Sequence, residues 1–102
     1  MDDEDEMMEK IKINNIEYQV VKKRGDCLKI EEIESLLTDY FEKFDYVCGD
    51  YSYDKLRLKG FYEKSNKNSR RINDITLFDD YIKDYCAYGA RYFLLKKSNK
   101  VL

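Results

Sequence analysis

The groups best able to do chemistry in this chain crowd into one stretch, FDYVCGDYSYDKLRLKGFY, residues 44–62. It brings together the Asp50 carboxylate, the Arg57 guanidinium, the Lys59 ammonium, the Cys48 thiol and rings at Tyr46, Tyr51 and Phe61. An acid and a guanidinium can pair with each other or work on a small substrate, and rings among cations can stack on bases or hold acidic peptides. General acid–base catalysis is easiest with a group that titrates near neutral pH, which histidine supplies unaided, and the chain has no histidine. Catalysis would fall to a strongly shifted Asp, Glu or Lys or to a thiolate, with Asp50, Arg57 and Tyr46 the first candidates. No nucleophile elbow or paired-carboxylate spacing stands out to support it. Four scattered glycines build neither G-x-G-x-x-G nor a phosphate loop. Cys27, Cys48 and Cys86 form no C-x-x-C, and without histidine the usual zinc sets cannot assemble. They read as reduced, mostly buried thiols, and no cofactor or metal is expected.

The elements that must position these groups follow from hydrophobic period. In IKINNIEYQVVKK the apolar residues fall at Ile11 and Ile13, then at Ile16, Tyr18 and Val20. That parity switch fits a two-residue turn at Asn14-Asn15 with Ile13 facing Ile16, and equally a single bulged strand. From Ile30 the period lengthens: Ile30, Ile33, Leu36, Leu37, Tyr40, Phe41 and Phe44 mark one amphipathic helix, with Glu31, Glu32 and Glu34 at its positive end. KLRLKGFY then alternates, with Leu56, Leu58 and Tyr62 on one side and Lys55, Arg57, Lys59 and Phe61 on the other. A turn over residues 51–55 makes residues 46–50 its antiparallel partner, with Asp50 across from Arg57 and Gly49 marking a bulge or close approach. Thr76 and Asp79 resemble a capping box for a second helix with a stripe of Ile75, Phe78, Ile82 and Tyr85, closed by Gly89. RYFLLKK reads apolar on both sides and so belongs in mid-sheet.

The net charge of −2 hides a segregation along the chain. Residues 1–9 carry Asp2, Asp3, Glu4, Asp5, Glu6 and Glu9 and no base, which predicts a disordered acidic tail. Residues 54–71 carry Lys55, Arg57, Lys59, Lys64, Lys67, Arg70 and Arg71 against Asp54 and Glu63. The stretch EKSNKNSRRIND, residues 63–74, has no apolar period and reads as a mobile basic loop. No apolar run approaches the ~20 residues of a membrane span, and an acidic N-terminus is unlike a signal peptide, so a cytoplasmic place is expected.

The order is therefore hairpin, helix, two strands, helix, strand, in one domain over residues 10–98. Behind the extra first strand this is the βαββαβ order of split-βαβ domains: an α+β fold with an antiparallel or mixed sheet and two helices on one face. The other face would then be open and carry the rings and charges of the opening stretch. Residues 44–62, followed by YCAYG and RYFLLKK, resemble the YutD family of small bacterial proteins over about residues 28–97. Where that family usually has Gly-Asp-Trp-Gly this chain has Gly49-Asp50-Tyr51-Ser52. The resemblance implies a small cytoplasmic α+β protein without an assigned activity. The composite surface of Tyr46, Asp50, Tyr51, Arg57, Lys59 and Phe61, with Lys64, Lys67, Arg70 and Arg71 on the loop, suggests a non-enzymatic binding module for RNA, the ribosome or an acidic protein. A small enzyme using Asp50 and Arg57 is the alternative.

Overall fold

The chain first reverses at Asn14 and Asn15, whose φ angles of 53° and 69° are the left-handed values a two-residue hairpin turn requires. Asparagine tolerates that region, and the turn joins β1 (Lys10–Ile13) to β2 (Ile16–Arg24) with Ile13 paired to Ile16. The hairpin alternative is thus the one adopted. The computed structural model describes residues 9–52, 54–86 and 89–98. The expected acidic tail therefore lies, except for Glu9, outside the described residues.

After β2 come α1 (Ile30–Leu36), β3 (Tyr46–Ser52), β4 (Lys55–Phe61), α2 (Phe78–Tyr85) and β5 (Tyr92–Lys97). The five strands form one antiparallel sheet in the order β1-β2-β5-β3-β4, so β5 is central and β4 is an edge. Between Val20 and Lys22 the register with β5 slips by a bulge, which lets Val21 and Lys22 serve the same face. At Gly49 the strand runs without a bulge; the glycine is there because Phe93 lies against it, and a Cβ would fall 2.1 Å from the Phe93 ring.

Two expectations about the helices are corrected. The single helix over residues 30–44 is instead α1 followed by a 3₁₀ turn, Asp39–Lys43. Leu37 leaves helical geometry, and its carbonyl accepts from Asn14 Nδ2 at 2.8 Å, so the hairpin turn satisfies an end that the helix cannot. The break lets Ile33, Leu37 and Phe44 stay buried while Leu36 and Tyr40 turn out to solvent. At the second helix the cap is Asp74, whose carboxylate accepts from the Thr76 amide at 2.9 Å and hydroxyl at 2.8 Å ahead of a short 3₁₀ turn. Gly89 has a positive φ of 74°, but α2 has already ended at Tyr85, which is exposed rather than part of the buried stripe.

The α+β class holds, yet the helices lie on opposite faces. α1 covers Ile13, Tyr18, Val47, Phe93 and Leu95, whereas α2 covers Tyr46, Cys48, Phe61 and Leu94. β2 and β3 run parallel with β5 between them, and β4 and β5 run parallel with β3 between them. Two such connections of the same hand would be related by a half-turn about the sheet normal, which leaves the face unchanged. Helices on opposite faces therefore require connections of opposite hand, against the strong general preference for right-handed ones. α1 touches both β1 and β4, the two edges, so the sheet curls around it. No described helix is long and apolar enough to cross a membrane.

Candidate functional site

The face expected to be open is a second core, and Asp50 sits at its centre. Strand alternation points Tyr46, Cys48 and Asp50 of β3 to the same side as Arg57, Lys59 and Phe61 of β4, with Asp50 paired across to Arg57. α2 then closes over them: Phe61 meets Phe78 and Tyr81 edge-on at 5.6 and 5.5 Å. Asp50 is 2% exposed. Its Oδ1 accepts from Arg57 Nε at 2.9 Å and contacts Nη2 at 2.8 Å. Its Oδ2 faces the Tyr81 hydroxyl at 3.5 Å and the Cys86 thiol at 3.4 Å. The hydrogen bond that Arg57 donates to Asp50 raises the Arg57 pKa. Burial, then the Asp50 charge, pushes the Cys86 thiol up to about 11 and raises Tyr81 and Cys48 as well. The cluster is a salt bridge roofed by proton-holding neutral donors, and its thiols are poor nucleophiles at neutral pH.

The remaining candidates scatter. Tyr46 is buried, and its hydroxyl donates to Glu63 Oε2 at 3.1 Å. Tyr51 lies on the α1 face instead, donating to Glu32 Oε1 at 2.6 Å under the Arg91 guanidinium. Phe61 is 1% exposed. Arg70 turns its guanidinium back onto the carbonyls of Lys67 and Ser69, while Lys64, Lys67 and Arg71 are exposed. Residues 63–74 are not a featureless loop: Asp45 Oδ2 accepts from the Glu63 amide and Asn66 Nδ2, and Tyr62 bridges to Asp74.

What sequence reasoning missed is a pair of grooves beside the edge strand. One, of about 430 Å³, runs between Lys59 and Phe61 of β4, Arg71-Ile72, and Tyr81 and Tyr85 of α2. The other, about 200 Å³, lies on the far side between Tyr40, Phe44, Leu58 and Ile72. Lys59 and Ile72 line both. Three large apolar side chains stand exposed around them: Ile72 at 75%, Tyr85 at 72% and Tyr40 at 59%. The Lys59 ammonium lies over the Phe61 and Tyr81 rings at 5.1 and 5.6 Å, its pKa lowered by burial. The signal in the sequence was β3 itself, whose consecutive apolar Tyr46, Val47 and Cys48 mark a strand covered on both sides.

Fold and site together define a small α+β protein whose central carboxylate is buried beside a half-exposed guanidinium and whose exposed Tyr40, Ile72 and Tyr85 gather along one sheet edge. The chain belongs to the YutD-like family: residues 12–96 match the family model described as "Putative antitoxin YutD-like". It is 37% identical over 90 residues to the "Putative antitoxin YutD" of Bacillus subtilis (strain 168), covering 88% of this chain and 99% of that one. The solution NMR structure of yutD from B. subtilis superimposes with a TM-score of 0.74 at 35% identity, covering 92% of this chain and 86% of the other.

Proposed function

We propose that this chain is a non-enzymatic binding module of the cytoplasm whose partner is a protein with an acidic contact surface. The observation that carries the reading is the gathering of exposed Tyr40, Ile72 and Tyr85 around the two grooves beside β4, next to the exposed bases Lys64, Lys67 and Arg71. Exposed rings and branched chains at a groove are typical anchors of protein interfaces. The name of the B. subtilis relative, "Putative antitoxin YutD", accords with a chain that works by holding a partner.

An enzyme built on Asp50 and Arg57 fits poorly, because a general base must reach its proton, and Asp50 is 2% exposed with both oxygens facing protein donors. RNA fits less well than protein. Stacking needs free ring faces, whereas Tyr46 and Phe61 are buried and Tyr85 stacks on Tyr81.

Photo-crosslinking residues placed at positions 72 and 85 in cells test this. A defined protein band, captured equally before and after ribonuclease and lost when Tyr40→Asp is added to a chain that still folds, is expected. Capture that disappears with ribonuclease, or that ignores Tyr40→Asp, overturns the reading.

A further inference from the structure

We propose that the free edge of β4 takes up an extended, acidic segment of the partner protein as a sixth strand, with Lys59 receiving one of its carboxylates. The proposal rests on the binding-module reading and specifies how the partner is held.

The backbone supplies the first argument. Lys97 donates its amide to Asp45 and Tyr51 donates its own to Arg91, so the odd-numbered residues of β3 bond to β5 and the even-numbered ones to β4. Their β4 partners Lys55, Arg57, Lys59 and Phe61 thus turn their amides and carbonyls inward. Leu56, Leu58 and Gly60 turn theirs outward, where among the described residues β4 has no neighbouring strand and no backbone group bonds to them, the edge being taken up at Tyr62 by Asn73 and Ile75. An uncovered row of alternating donors and acceptors is a template for one more strand.

The side chains argue for where that strand runs and what it carries. The two grooves flank this edge, one on each side of the sheet, at the β4 positions where alternate side chains of an added strand would land. Leu58 and Phe44 make one floor, and Phe61 and Tyr81 the other. Lys59 lines both, and among the described residues its ammonium meets rings but no carboxylate. Lys55 stands on the same strand and Arg71 beside it, while Asp80 and Asp84 lie on the α2 wall of the larger groove and Arg57 is paired to Asp50, so the cation that an added strand would meet at the edge is Lys59. A second copy paired through its own β4 would set lysine and arginine opposite one another, which is unfavourable, so the charge selects an acidic partner over self-association.

The probe is a random dodecapeptide library displayed on phage and selected against the whole chain. Expected are proline-poor peptides rich in Asp and Glu; a synthetic copy slows amide exchange at Leu56 and Leu58, and Lys59→Glu weakens it by roughly tenfold or more. Enrichment of basic or proline-rich peptides, protection at α2 instead of β4, or no enrichment overturns the proposal. If crosslinks at positions 72 and 85 still capture a protein while the β4 amides stay unprotected, only the added strand falls and the binding module stands. If neither experiment yields a ligand, both fall.

Discussion

At Asp50 a buried carboxylate has a single half-exposed guanidinium as its counter-ion, and that asymmetry sets what substitutions there do. Arg57 keeps 49% of its side chain in solvent, whereas the Asp50 side chain keeps 3%. Removing one partner of a buried pair typically costs ~3–5 kcal/mol, but water can enter where Arg57 stood. Arg57→Ala is therefore expected to cost about 1–3 kcal/mol, more than an exposed pair and comparable to truncating half-buried Leu58. Asp50→Asn keeps the shape and its contacts to Tyr81 and Cys86, and the double variant should cost less than the two single ones added. Urea denaturation of the four proteins measures this; strictly additive losses would mean the pair is not coupled. The cross-strand pairing of Asp50 with Arg57 was legible in the sequence because strand alternation and a short hairpin fix the register. Tyr81 and Cys86 were not, since they arrive from more than 30 residues away, on a helix and the residue just past its end, and no local pattern specifies the face that helix covers.

Among the elements, packing between faces decides what each strand tolerates. Gly49 gives the Phe93 ring its place, and Gly60 does the same for Phe44. Gly49→Ala should destabilise by about 1–3 kcal/mol, the usual cost of overfilling a packed core. Adding Phe93→Leu should recover part of that loss in thermal melts, because a smaller side chain vacates the space. If the double variant is no better than Gly49→Ala alone, the glycine is needed for backbone reasons rather than for the ring. The strands were legible from short-range pattern, period-two alternation in β1, β2 and β4 and a continuous apolar run in β5: β1 to β5 all fall where the pattern put them, within a residue or two, although alternation misjudged which sides are covered. The helices were less so. The stripe from Ile30 to Phe44 is equally consistent with one long helix and with two short turns, and Asn14, from another element, makes the break by bonding the Leu37 carbonyl. The face chosen by α2 depends on the hand of its connection, which no residue type encodes locally.

For the molecule as a whole, covering both faces of one sheet places many phenols and thiols where only their protonated forms fit well. Tyr46 and Tyr51 are pushed up to about 12 from 10.0, in each case mainly by burial, then by an acidic neighbour, Glu63 for Tyr46 and Glu32 for Tyr51. Cys86 moves to about 11 from 9.0 for the same reasons, with Asp50 as the acid. In each case the folded pKa exceeds the unfolded one, so between the two values the native chain binds more protons than the unfolded chain and stability falls as pH rises. The contribution is complete below about 9 and is lost progressively as the pH climbs toward 11 and 12. Stability should accordingly be flat from neutral pH to about 9 and decline steeply above it, with the phenolate absorbance rising late and together with unfolding. Tyr46→Phe tests the assignment. It removes one raised group along with its hydrogen bond to Glu63, so the variant starts less stable at neutral pH yet loses stability more slowly in alkali. Urea midpoints collected across that range should converge with those of the parent chain. Parallel curves would place the alkaline transition elsewhere and remove Tyr46 from it.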